Sequence, residues 1–190
     1  MMREVRHQFE SESWFVPDWK LKLLLVGTFN PEGGERVEYF YGRGMNHMWP
    51  IVSYCTGQDL HPSQGADFFN AIQELGIGCM DLLRSVGVPQ GEEGKVRGMG
   101  YEDSNLFRGA NQRVYMTEEI LAVIDQNPGI CVLPTWGKGS AFLKRDWQQI
   151  ARLPELPFLP SPSPRPRTGS IELKRTKWCA QLSPCLGRGR

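Results

Sequence analysis

The chain has 190 residues, 40% hydrophobic and 23% charged, the composition of one globular domain large enough to bury a real core. No apolar run approaches the roughly 18–20 residues of a membrane span, and MMREVRHQFESESWF at the N-terminus lacks the apolar centre of a secretory signal. The net charge of +1 conceals a split: residues 138–190 carry eleven Lys/Arg against three Asp/Glu, a balance of +8, and the first 137 residues carry −7. Such asymmetry suggests a face meant for a polyanion, although a solvated basic helix with a frayed tail has the same composition.

Leu21 to Phe29 is a near-continuous apolar run, as expected of a central strand buried on both faces. A loop follows, punctuated by Gly33-Gly34 and by Gly42 and Gly44, and His47 to Cys55 reads as a short helix with Asn46 as its N-cap. Phe68, Phe69, Ile72 and Leu75 fall at helical spacing before Gly76, and a short apolar piece, Ile77 to Met80, reaches Asp81. Residues 87–113 are glycine-rich and polar, and read as an irregular excursion. Thr117 caps a helix striped by Ile120, Leu121 and Ile124, and ICVLPTW after Gly129 is the next strand. Gly137 to Ile150 reads as a helix and Leu156 to Leu159 as a short strand. Ser170 caps a last helix, with Ile171, Leu173, Trp178 and Leu182 as its apolar positions.

Four strands alternating with helices predict a three-layer α/β/α sandwich around a central, mostly parallel four-stranded sheet. The expectation is a single domain over 1–190, with 1–19 and 183–190 peripheral. Ligands of such sheets sit at the carboxyl ends of the strands, and two loops leave strands there: the one after Gly27 and LPSPSPR, residues 159–165. The proline-rich PELPFLPSPSPRPR also reads as a linker or a polyproline ligand. Five cysteines (Cys55, Cys79, Cys131, Cys179, Cys185) form an odd set without a CxxC pair. That argues against a disulfide framework and against zinc or iron–sulfur ligation, and for a reducing cytoplasm.

The chemistry of the loops is narrow. No Gly-x-Gly-x-x-Gly follows the first strand and no Walker lysine occurs. Only His7, His47 and His61 exist, without a Gly-x-Ser-x-Gly elbow, so a Ser-His-Asp triad is poorly supported. His61-Pro62-Ser63 lies in a polar loop with no strand before it and reads as a decoy. What remains is amide, aromatic and arginine chemistry, suited to holding a flat heterocycle and positioning a water, as enzymes acting on an extruded base do.

GTFNP (Gly27–Pro31), YGRGMNHMW (Tyr41–Trp49), GIGCMDLL (Gly76–Leu83), TWGKGSAF (Thr135–Phe142) and LPSPSPR (Leu159–Arg165) occur in that order. Together they resemble the uracil-DNA glycosylase superfamily, nearest its mismatch-specific uracil, thymine-DNA and hypoxanthine-DNA branches, over most of residues 20–182. The resemblance implies that Tyr41 stacks on the extruded base, with Gly27, Thr28 and Phe29 around it. It implies that Asn30 or Asn46 holds the hydrolytic water; an N-cap role explains Asn46 equally well. Ser161, Ser163, Arg165 and Arg167 would grip DNA, with Arg165 as the wedge or a simple phosphate contact. Asp81 is a loose candidate for a nearby polar role. Two departures stand out: Asn30 is three residues after Gly27 where the mismatch-specific branch has two, and Leu159 replaces the His that some branches carry before Pro-Ser.

The reaction so implied is hydrolysis of an N-glycosidic bond in DNA by a cytoplasmic, monofunctional monomer that needs no metal or cofactor and has no membrane partner. Two alternatives stay open at this level: a non-catalytic nucleic-acid-binding module of the same fold, and an enzyme acting on nucleosides or nucleotides.

Overall fold

The computed structural model describes residues 1–34, 36–98, 102–136, 145–147, 159–164 and 169–187. In chain order its elements are β1 (Met2–Arg6), β2 (Leu23–Gly27), α1 (Met48–Thr56), α2 (Ala66–Leu75), β3 (Ile77–Asp81), β4 (Leu83–Pro89), α3 (Asp103–Leu106), β5 (Gln112–Tyr115), α4 (Thr117–Gln126), β6 (Cys131–Pro134) and α5 (Ile171–Cys185). The fold is mixed α/β.

Every residue of β2 is buried, which a strand achieves only with neighbours on both edges and cover on both faces. It pairs in parallel with β3 on one side and β6 on the other. A second sheet, in the order β1-β4-β5, is antiparallel throughout. β3 and β4 are consecutive, separated only by Leu82, so the chain passes from the parallel to the antiparallel sheet within one residue. The larger core gathers Leu23 to Val26, Trp49, Phe68, Ile72 and Trp178. A smaller one, containing Val5, Phe29, Leu83, Val86 and Leu106, lies against the antiparallel sheet.

The helices follow their apolar spacing. α2 buries Phe68, Ile72 and Leu75, and ends where Gly76, at φ 71°, turns its N–H back to Ile72 and Gln73. In α5 the side chain of Ser170 accepts the N–H of Leu173, as expected of a cap, and the buried positions are Lys174, Trp178 and Leu182. Leu173, expected on the apolar stripe, is exposed.

Several expectations change. The parallel sheet has three strands among the described residues, and most of the expected strand at Leu156–Leu159 lies outside them, as does most of the helix expected over 137–150. The first residues are not peripheral: β1 pairs along its whole length with β4, and Val5 and His7 are buried. With Val5 the only buried residue of MREVR, no alternation announces the strand. The excursion at 87–113 begins and ends in sheet, since β4 runs on to Pro89 and β5 starts at Gln112. No described helix is long and apolar enough to cross a membrane.

The largest correction concerns sulfur. Cys55 is bonded to Cys179 and Cys131 to Cys185, with Cα atoms 5.1 and 5.6 Å apart, and buried Cys79 is the free thiol. The partners are 124 and 54 residues apart in sequence, so local spacing carries no trace of the pairing, and Cys185, within the stretch expected to be peripheral, is bonded to β6. Both bonds tie α5 to earlier parts of the chain, one to α1 and one to β6. Cys179→Ser, or reduction of wild type, should therefore lower the unfolding free energy by about 2–5 kcal/mol, read by denaturant titration with and without thiol reductant.

Candidate active site

The three parallel strands end side by side, and each delivers one residue of interest to the same place: Gly27 from β2, Asp81 from β3, and Thr135 just beyond β6. This is where α/β sheets bind their ligands. The sheet-to-sheet passage reinforces it, because the N–H groups of Leu82 and Leu83 donate to the carbonyls of Gly27 and Thr28 at 3.0 and 3.1 Å. The first turn of the loop after β2 is thereby fixed to the residues that follow Asp81.

Asp81 is only 1% exposed. A carboxylate so deep needs donors, and two converge on Oδ2: Asn30 Nδ2–H at 2.7 Å and His7 Nε2–H at 2.9 Å. The tautomer of His7 follows from its other nitrogen. Phe9 N–H donates to Nδ1 at 3.2 Å, so Nδ1 is the acceptor and Nε2 bears the proton. Phe9, Phe15, Phe29 and Phe40 surround the imidazole, with ring centroids between 4.7 and 5.7 Å away. The backbone fastens the same region. Gln8 N–H donates to Asn30 O and Glu32 N–H to Arg6 O, both at 2.8 Å, around a bridge between His7 and Pro31.

Tyr41 closes the other side. Its φ of 59° is the single positive value at a non-glycine position among the described residues, a conformation costing about 1–3 kcal/mol that persists where surroundings enforce it, often at functional sites. Its hydroxyl lies 3.0 Å from Thr135 Oγ1. That hydroxyl itself donates to Val26 O, so Tyr41 is the donor of the pair. Burial, together with the negative charge of Asp81, holds the Tyr41 phenol well above the usual tyrosine range. The half-buried ring thus stands as a neutral platform beside the strand ends.

Gly27, Thr28, Asn30 and Tyr41 are brought together by this arrangement. The Phe29 ring instead enters the smaller core, leaving only its backbone at the loop surface. Asn46 is held elsewhere: its Oδ1 accepts Met48 N–H at 2.9 Å, bracing the entry to α1, and no hydrogen bond among the described residues joins it to Asp81. Ser161 and Ser163 are linked by Ser163 N–H to Ser161 Oγ at 3.3 Å. Their loop is gripped from two directions. Trp178 Nε1–H donates to Pro160 O at 2.8 Å and Lys174 Nζ to Ser163 O at 2.6 Å, while His47 N–H donates to Pro162 O at 2.9 Å. The two loops singled out in the sequence are therefore hydrogen-bonded neighbours.

Lys174, counted with the basic half, is fully buried and spans Ser163 O and His47 Nδ1. Burial lowers its affinity for a proton, and His47 is lowered by burial and then by Lys174. Its role is internal. Arg165 and Arg167 lie outside the described residues. His61 proves structural, accepting Ser63 N–H at the start of a short 3-10 turn. No group of three or more His, Cys, Asp or Glu among the described residues could hold a metal.

His7 carries no functional signal in the sequence, and Asp81 carries only a weak one. The available sign for Asp81 was one acid ending the buried run IGCM, a costly position without partners; nothing in the sequence links it to His7, 74 residues earlier. Comparison with protein-family models and with curated proteins gives no match for the chain.

Gly27 offers a direct probe of how tightly the pieces are held. A Cβ there would overlap Asp81 Oδ1 and lie 2.6 Å from the Tyr41 hydroxyl, and both neighbours are pinned by hydrogen bonds. Gly27→Ala should cost about 1–3 kcal/mol as overpacking. Adding Tyr41→Phe should restore part of it, as measured by denaturant unfolding of the single and double variants.

Proposed function

We propose that the chain is a DNA glycosylase that hydrolyses the N-glycosidic bond of a flipped, deaminated or mismatched base: uracil, hypoxanthine or thymine. The observation carrying this reading is the placement of Asn30 beside the carboxyl ends of the parallel strands, its amide tied to the buried carboxylate of Asp81, which shares the space over Gly27 with the Tyr41 hydroxyl. The ordered motifs from Gly27 to Arg165 support it, as does the net positive charge of residues 138–190.

In this mechanism the extruded base stacks on Tyr41, an interaction worth about 1–3 kcal/mol per base. As the bond to C1′ stretches, the sugar gains oxocarbenium character and the base departs as an anion. Backbone N–H groups of the loop after Gly27 act on that anion as fixed donors. Asn30 accepts a hydrogen bond from the attacking water and aims it at C1′. A neutral amide is a weak base, so the acceleration rests on positioning and electrostatics. Ser161 and Ser163, on a loop stiffened by Pro160, Pro162 and Pro164, contact phosphates beside the target, and Arg165 and Arg167 extend that grip.

Duplex and single-stranded oligonucleotides containing uracil, hypoxanthine or mismatched thymine, treated to cleave abasic sites, test the reading. At least one should be cut. Asn30→Ala should slow release by about 10²-fold with little change in DNA affinity. Asn46→Ala should chiefly cost stability, about 0.5–1.5 kcal/mol, through the lost hydrogen bond at the entry to α1, whose cap position is His47. Tight DNA binding without base release from any probe would leave a binding module and end the glycosylase proposal.

A further inference from the structure

We infer that Asp81 and His7 are positioning residues that set which end of the Asn30 amide faces the reacting water; this rests on the glycosylase reading above. An asparagine side chain has a donor end and an acceptor end of nearly equal size. Only the oxygen end can accept a hydrogen from an attacking water, so a freely rotating amide presents the wrong group part of the time. Here the nitrogen end is committed, donating to Asp81 Oδ2 at 2.7 Å. A carboxylate cannot donate, so the flipped amide would set oxygen against oxygen at a buried site. The flipped state is thereby disfavoured and Oδ1 is turned away from Asp81. No hydrogen bond among the described residues engages that Oδ1.

His7 performs the same service one step back. Its Nε2–H meets the same oxygen, Oδ2, at 2.9 Å, and Phe9 N–H on Nδ1 keeps the ring from presenting its acceptor there instead. The imidazole is wedged among four phenylalanine rings and its own backbone donates to Arg84 O. Orientation therefore descends from β1 through His7 and Asp81 to Asn30. The antiparallel sheet, whose strand β1 leads directly into His7, acquires a purpose in this scheme.

The test uses the single-turnover release rate on whichever of the three base probes wild type cleaves best, with DNA affinity measured in parallel. Asp81→Ala should slow release by about 10²-fold, near the loss in Asn30→Ala, with affinity within about threefold. Asp81→Asn should keep the rate within about tenfold, because its amide oxygen, held by His7, still accepts from Asn30. The double variant Asn30→Ala/Asp81→Ala should be no slower than Asn30→Ala, since two residues acting as one unit do not add. His7→Gln, whose amide N–H reaches the place of Nε2–H, should outperform His7→Phe. Full activity in Asp81→Ala overturns the inference, as do multiplied losses in the double variant. An Asp81→Asn variant as slow as Asp81→Ala also overturns it, by making the charge itself the agent. If wild type releases no base, the glycosylase reading falls separately, and nitrogen-15 NMR decides the positioning. The Asn30 side-chain protons should then exchange slowly in wild type and fast in Asp81→Asn/His7→Phe; equal exchange rejects it.

Discussion

The structure depends on one buried carboxylate. Asp81 sits where β3 gives way to β4, at the one-residue crossing between the two sheets, and it gathers a donor from each flank. Taking such a charge out of water costs several kcal/mol unless its partners are well placed. Removing one of its neutral donors leaves buried acceptor capacity unmet, at a cost of about 1–3 kcal/mol. The N-terminal strand, the loop after β2 and the sheet crossing are thus bound into one unit, because each would leave Asp81 unsatisfied by moving.

A second unit holds the late loop. There the anchor is α5, whose buried face offers Trp178 to Pro160 and Lys174 to Ser163, while its cysteines are bonded to α1 and β6. A lysine ammonium with no aqueous contact is a demanding element, and its lowered proton affinity reflects the burial. The reward is a loop with three prolines whose carbonyls at 160, 162 and 163 are all held from within. Its serine side chains are left at the half-buried surface. The two units meet where His47 reaches Pro162, which sets the spacing between the base-side residues and the loop proposed to grip the backbone.

How much of this was legible in the sequence follows from the range of the interactions. The wholly buried β2, the stripe of α2 and the cap at Ser170 are local patterns, written in consecutive residues. Gly27, Asn30 and Tyr41 were marked by a strand followed by turn residues, and they converge. The pairing of His7 with Asp81, of Cys55 with Cys179, and of Lys174 with Ser163 links residues that no short-range rule relates. β1 stayed hidden for a different reason: an edge strand with four exposed residues out of five has no apolar rhythm to read. Phe29 shows the opposite hazard, an aromatic beside the site that is spent on the core.

The choice between the two asparagines follows from the same logic. Each is half-buried and each makes one side-chain hydrogen bond, so burial does not separate them. Polarity does. Asn46 already engages its oxygen with Met48 N–H, so among the described residues the end left wholly free is the donor one. Asn30 spends its nitrogen on Asp81, and its remaining end can only accept. A water that must be held with its lone pair toward an electron-poor carbon needs an acceptor for its hydrogen. Of the two amides, Asn30 alone has an oxygen that no hydrogen bond among the described residues engages, which is why the proposed mechanism assigns it the water.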